Sequence, residues 1–274
     1  MKKEELHIAL YQQNIVWEQP DENFSKVEAA FGKALSSDNM PVDILVMPET
    51  FTTGFGDHMA RQAEPPKGRT FDFALSMARR YDALFVATWT VLEDGVVYNR
   101  LYLVRPDGSF DYYDKAHTFR MSSEASQIGR GTRRVTAEWR GWRIKPAVCY
   151  DLRFPLWLRN SSDWDYDMLL FCANWPGSRY EAWRTLLKAR AIENLSYVVG
   201  CNRVGRDGTG IDYAGCSAIV DYKGIPMVQA DPSTDSGNPL EIVLRATLSA
   251  ERLATFREHW PFNLDFDSCE LKNV

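Results

Sequence analysis

A chain of 274 residues, 45% of them hydrophobic and 25% charged, has the make-up of an ordinary folded globular protein. Its 32 Lys plus Arg against 37 Asp plus Glu give a formal net charge of -5, so no basic surplus exists to neutralise a phosphate backbone and nucleic acid is not an expected partner. The longest apolar runs, such as residues 168–173, fall far short of the roughly 20 residues that span a bilayer, so no membrane is expected either.

At the N-terminus, Met1-Lys2-Lys3-Glu4-Glu5 looks briefly like a signal-peptide start, but the apolar piece that follows is broken by Gln12, Gln13 and Asn14. A cytoplasmic protein is therefore expected. Residues 6–12 and 43–47 predict strands; between them Phe24, Val27, Phe31, Ala34 and Leu35 recur at helical spacing behind Asn23, which is placed to cap that helix. The turn formers Pro65-Pro66-Lys67-Gly68 precede a second helix over 70–81 and a strand over 84–91. Hairpin signals follow at Glu93-Asp94-Gly95 and at Pro106-Asp107-Gly108, the latter between strands 101–104 and 110–113. Further strands are predicted at 142–149, 168–173, 197–201, 216–221, 227–230 and 240–247. A third helix covers 180–194, with Trp183, Leu186, Leu187 and Ala191 on one face.

The mixture of parallel-type and hairpin-type strands with helices predicts an α/β layered fold. No internal repeat or low-complexity linker divides the chain, and 233–238 reads as a loop, so a single domain over 1–274 is expected. The aromatic-rich tail, about 255–274, comes after the last expected core strand. It either packs on another surface or covers its own domain.

Five cysteines (Cys149, Cys172, Cys201, Cys216 and Cys269) are widely spread without a C-x-x-C pair, so neither a disulfide framework nor a zinc site is expected. Only four histidines are present: His7, His58, His117 and His259. Of these His117 alone follows a predicted strand end in a motif-like segment, which leaves a Cys-His pair few members and gives metal binding no support. Gly205, Gly208 and Gly210 are not followed by G-K-[ST] or a helix and read as a loop. The segment after the first strand has no glycine, which removes a dinucleotide site. No cofactor is expected.

Three chemically useful residues stand at or near strand ends: Glu49 in Leu45-Val46-Met47-Pro48-Glu49-Thr50-Phe51, Lys115 in Tyr113-Asp114-Lys115, and Cys149 in Pro146-Ala147-Val148-Cys149-Tyr150-Asp151. Strand ends are where layered α/β sheets tend to bind ligands. Singly each has an ordinary reading: a core thiol, a capping acid, a solvated amine. Together an acid, a cation and a thiol suit nucleophilic attack on a carbonyl.

The segments Met47-Pro48-Glu49-Thr50-Phe51, Tyr113-Asp114-Lys115-Ala116-His117-Thr118-Phe119 and Val148-Cys149-Tyr150-Asp151-Leu152-Arg153-Phe154-Pro155 resemble the signatures of the nitrilase, or carbon-nitrogen hydrolase, superfamily. Cys172-Ala173-Asn174-Trp175-Pro176, Lys188-Ala189-Arg190-Ala191-Ile192-Glu193-Asn194 and Gly215-Cys216-Ser217 extend the likeness over nearly the whole chain. Within the superfamily the 121–149 region is most similar to the omega-amidase branch, which hydrolyses the terminal amide of short dicarboxylic monoamides such as α-ketoglutaramate. A departure is Thr118, where relatives commonly carry leucine.

The resemblance implies a four-layer α-β-β-α sandwich with mixed sheets and a homodimer or higher homo-oligomer, for which helix 180–194 and the tail around Trp260 are the candidate interface. It implies that Cys149 is the nucleophile, Glu49 the proton carrier and Lys115 the oxyanion ligand, with a thioester intermediate. It also implies a second glutamate, best matched by Glu124, with Glu138 as the competing choice. Phe119, Met121, Tyr150, Asn174 and Trp175 are the expected substrate-pocket residues by nearness to these groups. Phe51 reads rather as core, and Arg153 pairs either with a catalytic carboxylate or with a substrate acid. The alternatives are another C–N hydrolase, such as a nitrilase or N-carbamoyl amino acid hydrolase, or a silent interaction module on this fold. A cysteine protease lacks a convincing histidine partner.

Overall fold

In the first strand, β1 (Glu5–Gln12), Leu6, Ile8 and Leu10 lie on one side and Ala9 and Tyr11 on the other, and both sets are buried. A strand apolar on both faces must sit between two layers. The computed structural model, which describes residues 2–36, 41–233, 235 and 238–267, supplies them. The chain continues through α1 (Pro20–Leu35), β2 (Ile44–Val46), α2 (Arg69–Tyr81), β3 (Leu84–Glu93), β4 (Val96–Val104), β5 (Phe110–Asp114) and the short α3 (Glu124–Gln127). Its second part comprises β6 (Ala137–Trp139), β7 (Trp142–Val148), α4 (Pro155–Leu158), β8 (Met168–Ala173), α5 (Tyr180–Asn194), β9 (Tyr197–Asn202), β10 (Val204–Arg206), β11 (Asp212–Ala214), β12 (Ala218–Val220), β13 (Pro226–Gln229), β14 (Ile242–Ser249) and α6 (Ala250–His259).

Two six-stranded sheets result, ordered β14-β1-β2-β3-β4-β5 and β13-β12-β9-β8-β7-β6. Each has three parallel strands at its centre, β1-β2-β3 in one and β7-β8-β9 in the other, with antiparallel strands outside them. The likeness reaches single residues. Asp43, just before β2, accepts from the His7 backbone N–H, and Asp167, just before β8, accepts from that of Arg143. The sequence carries no visible repeat because the two halves share backbone pattern rather than side chains.

One core lies between the sheets, where Ile8, Leu10, Ile44, Val46 and Val86 meet Ile144, Met168, Leu170 and Val199. On the outer face of the first sheet, Val27 and Phe31 of α1 and Phe71, Ala74 and Met77 of α2 cover Leu45, Phe85 and Tyr102. On the second sheet α5 turns in Trp183, Leu187 and Ala191. Gly200 of β9 admits that helix: a Cβ there would stand 2.7 Å from Leu187 Cδ1. The α-β-β-α layering implied by the resemblance is thus present.

Several boundaries differ from the sequence reading. Helix α1 starts at Pro20, whose fixed φ suits the first helical position, so Asn23 is no cap. It lies buried inside the first turn, where its amide donates to Val16 O and Thr52 O and accepts from the Gln13 side chain. The glycine segment read as a loop, 204–210, begins with β10, which pairs with β11 just beyond it, because Val204 and Tyr213 are apolar enough to bury. The strand expected over 142–149 stops at Val148, since Cys149 has φ +43° and opens a 3-10 turn, Cys149–Arg153. The short helices α3 and α4 and the edge strand β6 carry too few residues to show a periodicity.

Part of the tail covers its own chain: α6 buries Leu253, and Arg257 lies over the Trp164 ring and bonds Asp167 at 3.2 Å. Trp260, Phe262 and Leu264 remain exposed. Cys269 and the end of the tail fall outside the described residues. Among the described residues no helix is long and apolar enough to cross a membrane.

Candidate active site

Strand β2 ends at Val46 and delivers Met47-Pro48-Glu49; Lys115 follows β5 directly, and Cys149 follows β7. The three ends converge, and Glu49 and Lys115 are wholly buried there. A positive φ on a non-glycine residue is strained and persists only when its surroundings fix it. For Cys149 the fixing group is the buried carboxylate of Asp151. One of its oxygens accepts from the Val148 N–H at 2.9 Å and the Tyr113 hydroxyl at 2.8 Å. The other accepts from the His117 backbone N–H at 3.1 Å and pairs with His117 Nδ1 at 2.7 Å. His117, whose ring also stacks on Phe154 at 3.7 Å, is thereby committed to bracing the turn.

The Lys115 ammonium donates to Glu49 Oε1 at 2.9 Å and to both oxygens of Glu124 at 2.9 Å. Asn99 Nδ2 bridges the two acids, at 2.8 Å to Glu49 and 3.1 Å to Glu124. Backbone N–H groups complete the set, Asn174 to Glu49 at 2.8 Å and Phe119 to Glu124 at 2.6 Å. Two carboxylates share one ammonium, so negative charge is in excess. Burial and then Glu49 push the Glu124 carboxyl up, with Lys115 pulling the other way. For Lys115 burial opposes the charged form, but Glu124 and Glu49 outweigh it and hold the ammonium above its ordinary value.

Burial, and secondly the Glu49 carboxylate, push the Cys149 thiol well above its ordinary value; Lys115 offsets this only in part. A neighbouring ammonium by itself favours thiolate. Here the resting group is the thiol, and attack requires a base; Glu49 is the neighbouring carboxylate that acts on it most strongly.

Cys149, Lys115 and Asn174 open onto a cavity of about 400 Å³. All five expected pocket residues line it: Phe119, Met121, Tyr150, Asn174 and Trp175. Met121 is 66% exposed at the rim. Phe51 is fully buried against Phe24 and Phe85, outside the cavity, and Thr118 is buried outside it as well. Glu138 stands exposed on the edge strand β6, while Glu124, expected by its nearness to the lysine, is buried on Lys115. Of the two readings of Arg153, pairing with a catalytic carboxylate is not what the structure has: the guanidinium lines the cavity 4.8 Å from the Trp175 ring, without an ion pair among the described residues.

Sequence reading missed Phe55, Ser122, Pro176, Ser178, Arg179, Ile211 and Tyr213. Ile211 and Tyr213 arrive on the β10–β11 hairpin, far from any catalytic segment in sequence; the alternation Ile211-Asp212-Tyr213 between turn glycines was the available signal. Among the described residues no group of three or more His, Cys, Asp or Glu side chains is arranged to hold a metal ion.

The model of the carbon-nitrogen hydrolase family matches residues 7–258. The chain is 44% identical to omega-amidase YafV of Yersinia enterocolitica over 96% of its length and 97% of that protein's. It is 30% identical to 2-oxoglutaramate amidase of Bacillus subtilis over 93% and 95% of the two chains. Among solved structures, XC1258 of Xanthomonas campestris, a CN-hydrolase superfamily protein with an arsenic adduct in its active site, superposes with a TM-score of 0.91. That protein is 40% identical, and the match covers 98% of this chain and 100% of the other.

Proposed function

The chain belongs to the carbon-nitrogen hydrolase family, and from that premise we propose that it is an omega-amidase, hydrolysing the terminal amide of a short dicarboxylic monoamide such as 2-oxoglutaramate to the acid and ammonia. The observation that carries the reading is the composition of the cavity. It is lined by the Cys149 thiol and the Lys115 ammonium, with the Glu49 carboxylate buried behind them on Lys115, and by two arginines without ion pairs among the described residues, Arg153 and Arg179. Among the described residues each guanidinium rests only on an aromatic ring, Trp175 at 4.8 Å or Phe119 at 5.7 Å, so both stay available to a substrate carboxylate.

In the proposed reaction Glu49 takes the Cys149 proton as the sulfur bonds to the amide carbon, and the carbonyl electron pair moves to oxygen. Lys115 and the Tyr150 backbone N–H hold that oxyanion, contacts typically worth roughly 3 to 4 kcal/mol of barrier per donor. Collapse breaks the C–N bond, the proton on Glu49 leaves with ammonia, and a thioester remains. Water then gives a proton to Glu49 and its oxygen to the acyl carbon; collapse releases the acid, and the proton returns to sulfur. Glu124 keeps Lys115 charged and aimed, and Asn99 keeps the two acids apart.

A reducing, cytoplasmic setting suits this thiol chemistry. Pairing of two chains is part of the proposal and rests on the apolar side chains left exposed around α5 and α6.

Purified protein tested for ammonia release should act on 2-oxoglutaramate, and Cys149→Ala should reduce this to background with the fold retained. Turnover of glutamine, an N-carbamoyl amino acid or a nitrile in its place would overturn the substrate assignment.

A further inference from the structure

The proposed reaction uses the base of the cavity and its two arginines but gives no part to three further lining residues, Phe55, whose ring lies 5.1 Å from the Lys115 ammonium, Ile211 and Tyr213. These residues come from two separate segments, the loop after β2 and the β10–β11 hairpin. Both are seated on the same pair of side chains behind them.

Trp17 is the first. A Cβ at Gly54, Gly56 or Gly208 would stand 2.9, 2.8 or 2.5 Å from its indole, so three glycines flanking Phe55 and preceding Ile211 close around one ring. His58 packs on that indole at 4.3 Å and bonds Gly54 O at 3.0 Å.

Arg203 is the second. It is fully buried, has no ion pair among the described residues, and places its guanidinium 4.5 Å from the centre of the Tyr213 ring. It donates to Ile15 O and Arg206 O at 3.3 Å, and its Nη1, without a hydrogen-bond partner, lies 3.7 Å from the Cβ position of Gly54. The Tyr213 hydroxyl is committed to Asp207 at 2.9 Å, and the same aspartate holds the turn through the N–H groups of Thr209 and Ile211. The wall thus offers substrate carbon surface and ring faces rather than free donors.

We propose that Phe55, Ile211 and Tyr213 form the wall that sets how long an acyl chain the site accepts, and that Trp17 and Arg203, which do not line the cavity, are positioning residues for it. A rigid apolar wall discriminates methylenes by space, an effect of roughly 10- to 200-fold per methylene in hydrophobic pockets. Glycines at 54, 56 and 208 let the indole sit close enough to fix both segments at once. The inference rests on the amidase reading above for the reaction it modulates.

The test compares kcat/KM across the monoamides of four-, five- and six-carbon diacids and across neutral amides of matching length. In Tyr213→Ala the ratio for six against four carbons should rise at least about tenfold. Trp17→Phe should shift it the same way, with KM carrying the change and kcat on the shortest amide staying within roughly threefold of the parent protein. Alkylation of Cys149 by iodoacetamide should keep its rate in Trp17→Phe. A ratio within about twofold of the parent in folded Tyr213→Ala, or a uniform loss at every length in Trp17→Phe, would overturn the wall. Turnover of neutral amides only would sink the acid-bearing substrate while leaving the length ratio to judge the wall, and turnover of neither series would overturn both.

Discussion

Cys149 carries the proposed chemistry because of what surrounds it. A half-buried thiol beside a carboxylate is protonated at rest, so the base must be built in, and Glu49 is fixed for that task by Asn99 and the Asn174 N–H. The second buried lysine makes an instructive contrast. Lys145 on β7 is 3% exposed, forms no ion pair among the described residues, and stands 5.6 Å from the Tyr166 ring. Burial, reinforced by Arg134, pulls its ammonium down to about 7, where Lys115 is held up by two acids. A base with a depressed folded pKa binds more protons when unfolded, so stability rises with pH between about 7 and 10.5 and the full penalty is present below that window. Lys145→Met should therefore stabilise the protein at neutral pH by on the order of a few kcal/mol, with the gain shrinking from pH 7 to pH 10. Urea unfolding of both proteins at several pH values would measure this; a gain independent of pH would mean that packing alone is responsible.

At the scale of elements, the 3-10 turn Cys149–Arg153 decides where the thiol points. Asp151 faces only donors: the N–H groups of Val148 and His117, the Tyr113 hydroxyl and the His117 ring. An amide would turn its own N–H₂ onto two of them. Asp151→Asn should cost about 1 to 3 kcal/mol of stability and lower kcat about tenfold or more with KM little changed. Steady-state kinetics beside thermal melts would check it, and an unaltered kcat would show that the turn holds itself. The elements also show what local sequence encodes. Strands β1, β3, β8 and β9 and helices α2 and α5 were legible because their apolar residues repeat over five or more positions. Helices α3 and α4 hold only four residues each, and what fixes α3 is Glu124 bonded to Lys115, a contact with no local signature.

Across the whole molecule, the site exists because the two sheets stack. Glu49, from the end of β2, takes the Asn174 N–H and bonds its own carbonyl to the Asn174 amide at 2.6 Å, and Asn174 follows β8 of the other sheet. The outer side of the second sheet leaves Ile192 of α5, Ile225 beside β13 and Trp260 after α6 between 45% and 58% exposed. Gly224 abuts Ile192, and Tyr222 packs on Phe256 of α6 at 4.6 Å, so these residues share one face. The proposed pairing should give a particle of twice the 31.4 kDa chain mass by light scattering, and Ile192→Glu together with Trp260→Glu should return it to a single chain. A parent protein that elutes as one chain would rule the pairing out.

Sequence alone encodes the apolar runs that make the long strands, the lack of a basic surplus and of any apolar run long enough for a membrane helix, and the three residue types at strand ends that suit attack on a carbonyl. These are properties of short windows, where side-chain period and residue chemistry act directly. Tertiary contacts seat Glu124 rather than Glu138 on Lys115, make Asn23 anchor a loop instead of capping a helix, and hold the Cys149 proton by burial and Glu49 against the pull of Lys115. They alone bring Phe55 and Tyr213 to one wall. Charge proximity and cavity shape depend on groups far apart in the chain, Glu49 and Cys149 by 100 residues and Phe55 and Tyr213 by 158, and the stacking of the two sheets makes them neighbours.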